Sequence, residues 1–428
     1  MSREKPSYEN SEAFAALMDE RDPLRSYRNL FHIPKTKTGE EFIYFSGNSL
    51  GLQPRKAREY VDQELMDWAE LGVEGHLHAR HPWLPYHEFL NEPTARLVGA
   101  KPIEVVVMNT LTVNLHLMMV SFYRPKANRI KILIEKGAFP SDQYAVASQA
   151  QFHGYNPKDV ILEISPREGE STLRTEDIVE AIKRDGKTIA LVLLGQVNYL
   201  TGQAFELAPI AQAAYDQGAL IGVDLAHGAG NLELQLHDWK IDFAVWCSYK
   251  YLNAGPGGLS GCFVHEKHSK DSTLPRFAGW WGHDKKVRFQ MGSKFDPMPG
   301  AEGWQLSNPP ILQLAALRSS MELFDSATIP ALRTKSELLT GYLHFLLNLI
   351  PNHAFTLLTP THPKERGCQI SLRVRSGAKE LVAALQKAGI ISDFREPDVI
   401  RVAPVPLYNR FSEVYKFAKL LRTHAEKR

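Results

Sequence analysis

Cysteine is scarce in this chain. Cys247, Cys262 and Cys368 are its three cysteines in 428 residues. They are too few and too scattered for a disulfide framework or a cysteine-rich zinc cage, and they suit a reducing compartment. Long apolar runs are missing too: none approaches the ~20 residues that cross a bilayer. The opening Met1 to Asn10 is polar and lacks the apolar core of a secretory signal. A cytoplasmic protein with no membrane partner is expected. Net charge is close to nil, with 50 basic and 48 acidic residues balancing to +2. That balance gives no electrostatic reason to expect nucleic acid. No Gly-Xaa-Gly-Xaa-Xaa-Gly follows the first strand pattern, which argues against a nicotinamide dinucleotide site. His76, His78 and His81 cluster, but no carboxylate or cysteine completes a recognisable ligand pattern, so no metal is expected.

What remains is an ordinary globular composition, 44% hydrophobic and 23% charged, long enough for two or three domains. Between residues 100 and 250, short apolar runs alternate with helical patterns. The runs include Val105–Met108, Arg129–Ile134, Thr188–Leu194, Ala219–Val223 and Phe243–Cys247. That order predicts an α/β fold with a doubly wound, mostly parallel sheet. Residues 266–310 carry no long periodic run, and irregular segments of that length are often functional or interface-forming. From Ile311 a helical pattern runs to about Ile350, interrupted at Pro330. The alternating run Cys368–Val374, a helix Lys379–Ala388, strands Ile390–Ser392 and Val399–Val402, and a last helix from Glu413 predict a smaller α+β unit. The expected division is 1–75 as an N-terminal segment serving the small domain and a substrate loop, 76–310 as the large α/β domain, and 311–428 as the small domain.

Two of the apolar runs end in chemistry. Asp224 closes Ala219–Val223, and Lys250 follows Phe243–Cys247 through Ser248-Tyr249. Open α/β sheets bind ligands at the carboxyl ends of their strands. An acid and an amine there suit pyridoxal phosphate, which takes a lysine on its aldehyde carbon and an acid on its pyridine nitrogen. The turn Asn109-Thr110-Leu111-Thr112 leads from a strand into a helix. It offers either a helix N-terminus for a phosphate or ordinary capping by Thr110 or Thr112. Phe139, after another strand, is either a ring-stacking group or core. Gly47–Leu52 around Ser49 is either a tight loop or a loop that touches a ligand.

Asp224-Xaa-Ala226-His227, Ser248-Tyr249-Lys250-Tyr251 and the glycine-rich stretch after them resemble the aspartate-aminotransferase superfamily, fold type I of the pyridoxal-phosphate enzymes. The resemblance narrows with Gly47–Pro54, Phe139–Asp142, Leu236–Trp239, Trp246–Gly255, Ser307–Pro310 and Arg401–Asn409. These runs are similar to the kynureninases and recur in order along nearly the whole chain. The resemblance implies hydrolytic cleavage of the Cβ–Cγ bond of kynurenine or 3-hydroxykynurenine, within tryptophan breakdown. It implies that Lys250 carries the cofactor and moves the α-proton, and that Asp224 pairs with the ring nitrogen. Ala226 and Phe139 flank the ring, while Leu111, Thr112 and Tyr249 hold the phosphate. Tyr249 also moves protons, and Asp142 and His227 surround the ring. Trp280 and Asn308 are implied to come from the second subunit of a homodimer. Arg401 takes the substrate α-carboxylate, a task suited to a bidentate fork. Ser49, His76, His283 and Asn308 surround the aryl end, a set that leans toward the 3-hydroxy substrate. At Gly195 the chain departs from the family, which usually has a small hydroxylated residue there.

Two other readings compete. Cysteine desulfurases and selenocysteine lyases share the fold and use a mobile-loop cysteine downstream of the lysine, where this chain has Cys368. A non-catalytic cofactor-binding protein is the other.

Overall fold

The computed structural model describes residues 7–271, 273–351 and 354–426. Its strands are β1 Ile43–Tyr44, β2 Val105–Met108, β3 Lys131–Glu135, β4 Ile161–Ile164, β5 Ile189–Gly195, β6 Leu220–Asp224, β7 Phe243–Cys247, β8 Ser260–Val264, β9 Phe355–Leu357, β10 Ile370–Val374, β11 Ile390–Ile391, β12 Asp393–Arg395 and β13 Val399–Val402. The large sheet runs β2-β8-β7-β6-β5-β3-β4. Strands β7, β6, β5, β3 and β4 are mutually parallel, and β8 runs antiparallel to both of its neighbours. Strand β5 is buried over six of its seven residues. A continuous run of Ile, Val and Leu does this in a parallel sheet covered on both faces. Four of the five parallel strands end in Glu135, Gly195, Asp224 and Cys247, so acid and thiol chemistry collects along one edge of the sheet.

Helices cover both faces. On one face the helix Leu111–Phe122 and the helix Pro140–Phe152 pack Leu115, Met118, Met119, Phe122, Ala145 and Val146 against Ile132, Leu191, Leu193 and Val245. On the other, the helices Thr175–Asp185 and Leu207–Asp216 contribute Ile178, Ile182, Ile210 and Ala214. The spacing of Ile178, Ala181 and Ile182 puts one apolar stripe inward. Glu176 and Asp177 in its first turn, with Lys183 and Arg184 in its last, complement the helix dipole.

A second core lies around a four-stranded antiparallel sheet, β12-β13-β10-β9. The helices Ile329–Asn348, Ala378–Lys387 and Phe411–Ala425 pack on it. The preceding helix, Ile311–Ala327, instead buries Leu314, Ala315 and Leu317 in the large core and packs against the helix Ala57–Leu71. The N-terminal segment joins the second core. Strand β1 pairs in parallel with β11, and Asp19 accepts from the Phe411 and Ser412 N–H groups at the start of the last helix.

Two local expectations change. Ile390–Ser392 is not one strand of the small sheet. Ile390 and Ile391 pair with β1, and the chain then re-enters the sheet as β12. Long-range pairing partners of this kind leave no periodic trace. Neither Thr110 nor Thr112 caps its helix. Thr110 makes no capping bond, and Thr112 Oγ1 lies 2.9 Å from Ser141 Oγ.

Candidate active site

The carboxyl edge of β3, β5, β6 and β7 opens into a cleft of about 530 Å³. Leu111, Thr112, Phe139, Asp142, Gly195, Asp224, Ala226, His227, Tyr249 and Lys250 line it. The structure therefore brings together ten of the residues singled out from sequence. Each arrives by a strand end or a helix start. Asp224 ends β6, Gly195 ends β5, and Tyr249 and Lys250 follow β7. Leu111 and Thr112 begin one helix, while Phe139 and Asp142 begin another.

Asp224 is the electrostatic centre. It is buried, and no ion pair reaches it among the described residues. Its Oδ1 accepts from the Ala226 N–H at 2.7 Å. Burial pushes its carboxyl above the usual range, against the pull of that N–H and of Lys250. Asp142 is raised further, by burial first and then by the negative Asp224 beside it. Of the two carboxyls, Asp142 is the one pushed harder toward its protonated form. A buried acid without a cation invites a protonated nitrogen.

Lys250 Nζ lies 3.1 Å from His227 Nε2. Burial, and then the charges of Lys250, Arg401 and Arg395, hold His227 well below its ordinary value. The imidazole is thus neutral and accepts from the amine. The same Nζ sits 5.7 Å from the Phe139 ring centroid and 5.9 Å from that of Tyr249. Burial, with the Cys247 thiol next, raises the Tyr249 phenol, so it keeps its proton at neutral pH. The N–H groups of the first turn at Leu111 have no side-chain cap, which leaves them for an anion.

These features fit pyridoxal phosphate: an amine for its aldehyde, an unpaired buried acid for its nitrogen, Phe139 for its face and an uncapped helix start for its phosphate.

Other expected residues lie outside this cleft within one chain. Asn308 is exposed and Trp280 is 43% exposed. His283 is buried, with Nδ1 on the backbone of Asp296. His76 packs edge-on against Trp83, and its Nδ1 lies 3.0 Å from the Val73 carbonyl oxygen. Ser49 sits in the loop whose Gly51 N–H donates to the Tyr249 carbonyl, so that loop abuts the lysine segment. Arg401 is buried in β13, and its Nη1 donates to the carbonyl of Tyr199, a residue of the cleft wall.

Sequence reading passed over Glu135, Ser141, Val197 and Tyr199, which also line the cleft. Glu135 had a signal: it ends an apolar run just as Asp224 does. It is buried, its Oε2 accepts from Asn198 Nδ2 at 2.9 Å, and desolvation pushes its carboxyl up to about 7. A Cβ at Gly195 would stand 3.1 Å from Glu135 Oε1. Any side chain there would press on this acid, so glycine and Glu135 fit as a pair.

Cys368 is fully buried, its N–H donates to Asn231 Oδ1 at 2.9 Å, and burial raises its thiol to about 12. A protonated thiol locked ahead of a strand cannot act as a mobile nucleophile.

Residues 332–421 match the model of the kynureninase C-terminal domain. The kynureninase of Myxococcus xanthus is 64% identical over 418 residues, 98% of each chain. That of Koribacter versatilis is 57% identical, covering 96% of this chain and 97% of the relative. Among solved structures, a lyase variant with glycine covalently linked to its pyridoxal-phosphate cofactor superposes with a TM-score of 0.75 at 19% identity. It covers 89% of this chain and 96% of that one.

Proposed function

The chain belongs to the kynureninase family, and on that premise we propose how its residues divide the work. It is a pyridoxal-phosphate enzyme that hydrolyses the Cβ–Cγ bond of L-kynurenine or its 3-hydroxy derivative, releasing alanine and the corresponding anthranilate. Bound in the cleft, the cofactor supplies an electron sink for the pair left on Cα when the α-proton departs.

In our reading, Lys250 carries the cofactor and, once displaced by the substrate amine, takes the proton from Cα. The neutral His227 beside its Nζ supports that role, because an acceptor there does not repel a protonated amine. Asp224 holds a proton on the ring nitrogen, and Asp142 beside it takes up a proton more readily, leaving the negative charge to Asp224. Phe139 and Ala226 flank the ring. Leu111 and Thr112 offer the helix start to the phosphate, with Tyr249 beside them. Tyr249 retains its proton and so acts as the acid toward the oxygen of the γ-carbonyl when water adds there. Arg401 receives the substrate α-carboxylate.

One observation carries this reading: the amine of Lys250 and the buried, unpaired Asp224 converge on a single cleft at the carboxyl ends of parallel strands. The test is Tyr249→Phe. Turnover of kynurenine, read by anthranilate fluorescence, is expected to fall about 10²–10⁴-fold, with binding of L-alanine retained. Turnover at the wild-type rate would remove Tyr249 from the mechanism.

We further propose a homodimer whose cleft is completed by Trp280 and Asn308 of the second subunit, working in the cytoplasm on a small amino acid. Support comes from exposed aromatic surface. Trp280, Phe289 and Met291 stand out from the irregular segment, and Val73 and Leu77 stand out from the short helical turns around His76. Exposed apolar side chains grouped on one irregular segment suit an interface. Among the described residues no helix is long and apolar enough to cross a membrane.

A further inference from the structure

Arg401 does not stand alone. Strand β13 lies between β12 and β10, and the register sets Asp393 directly opposite Arg401 on one side and Ser371 on the other. The guanidinium has five donors in a rigid fork. Nε donates to Asp393 Oδ1 at 2.9 Å, and Nη1 donates to the Tyr199 carbonyl at 2.6 Å. Nη2 comes within 2.8 Å of the same Asp393 oxygen, yet makes no hydrogen bond although it is buried. Asp393 therefore pins the Nε side of the fork and Tyr199 holds Nη1, while Nη2 keeps hydrogens that no acceptor takes among the described residues. Burying donors without acceptors is costly, and a carboxylate is the natural receiver.

Asp393 has a second partner. Arg395 Nε lies 3.0 Å from Oδ1 and its Nη2 lies 3.3 Å from Oδ2. An Asp393 shared with Arg401 alone would cancel the charge that a ligand carboxylate needs. With Arg395 on the other side, the three groups sum to one net positive charge. Arg401 is 1% exposed and Arg395 38% exposed, so the charge is satisfied from solvent inward. Arg401 Nη1 reaches the carbonyl of Tyr199, which lines the cleft, and this places the row beside it.

We propose that Asp393 is a positioning residue for the α-carboxylate of the substrate: it fixes the Arg401 fork, and Arg395 offsets its charge so that Arg401 remains available. This rests on the reading of Arg401 as the carboxylate receiver. The bland alternative is a structural ion pair across two strands, which would affect folding but no ligand group in particular.

The experiment titrates the holoenzyme with L-alanine and with alaninamide, which keeps the amine but not the carboxylate, following the visible absorption of the bound cofactor. Asp393→Asn is expected to weaken L-alanine about tenfold or more and to leave alaninamide unchanged. KM for kynurenine rises with kcat nearly constant, because the contact exists equally in ground and transition states. Arg395→Gln, a change at a more exposed position, is expected to give the same selective loss to a smaller degree. Arg401→Gln serves as the control for the underlying reading. If Arg401→Gln leaves L-alanine affinity intact, the carboxylate reading itself is wrong. If Arg401→Gln weakens L-alanine selectively but neither Asp393→Asn nor Arg395→Gln does, only the positioning role falls. Equal losses for L-alanine and alaninamide in Asp393→Asn would also overturn it.

Discussion

Glu135 shows how one residue's surroundings set its chemistry. It ends β3 inside the cleft, fully buried, with a neutral amide and an N–H as partners and no cation among the described residues. Its carboxyl moves from about 4.5 to about 7 on folding, chiefly through desolvation. A folded value above the unfolded one means stability that is present at low pH and lost as pH rises. The loss runs from about 4.5 through about 7 and amounts to roughly 3 kcal/mol. Glu135→Gln removes that titration. Its thermal midpoint relative to wild type is expected to climb steadily between acid and mildly alkaline buffer. Parallel pH profiles for the two proteins would contradict this. The residue was visible in sequence as an acid closing an apolar run, the same signature that drew attention to Asp224. What set Asp224 apart was its place in a motif with Ala226 and His227, which Glu135 lacks.

At the scale of elements, β6 and β7 must lie close for Asp224 and Lys250 to share a cleft. Gly222 makes this possible: a Cβ there would come within 2.0 Å of the Phe243 ring on β7. The ring is itself held, stacked on Phe122 at 5.1 Å. Gly222→Ala is expected to cost about 1–3 kcal/mol by overpacking and, with Asp224 two residues on, to loosen the cofactor. Denaturant unfolding and cofactor release measure the two effects. A variant equal to wild type in both would refute the packing argument. Elements such as β5 and β7 were legible in sequence because buried parallel strands are unbroken apolar runs. The β1–β11 pairing and the cap supplied by Asp19 to a helix near the other end of the chain were not. Each joins residues hundreds of positions apart through backbone bonds that any side chain permits. The break between the helices Ile311–Ala327 and Ile329–Asn348 was marked by Pro330. That the first of the two packs on the large core was not, since both carry similar apolar faces.

Across the whole molecule, the cofactor cleft opens at the edge of the large sheet, and Arg401 of the small sheet reaches its wall at Tyr199. We propose that the two hydrophobic cores act as two domains, with the N-terminal strand serving the smaller. Of the residues expected around the aryl end, Asn308 is exposed and neither it nor His76 or His283 lines the cleft within one chain, which supports a site shared between subunits. Lys250→Ala and Trp280→Ala, each impaired alone, are then expected to regain part of the activity when unfolded and refolded together, because mixed dimers hold one intact site. No gain on mixing, with sedimentation showing dimers, would argue that each chain builds its site alone. By periodicity alone the irregular segment 266–310, which carries Trp280, His283 and Asn308, read only as long and aperiodic, and its site residues entered through the resemblance of runs such as Ser307–Pro310.

The central claim is that Lys250 bears the cofactor. Borohydride reduction of the holoenzyme fixes such a linkage permanently, and peptide mass spectrometry then locates it. The account predicts a single phosphopyridoxyl adduct on the peptide containing Tyr249-Lys250-Tyr251, absent from Lys250→Ala together with kynurenine turnover. An adduct on another lysine, or turnover at the wild-type rate in Lys250→Ala, would contradict it.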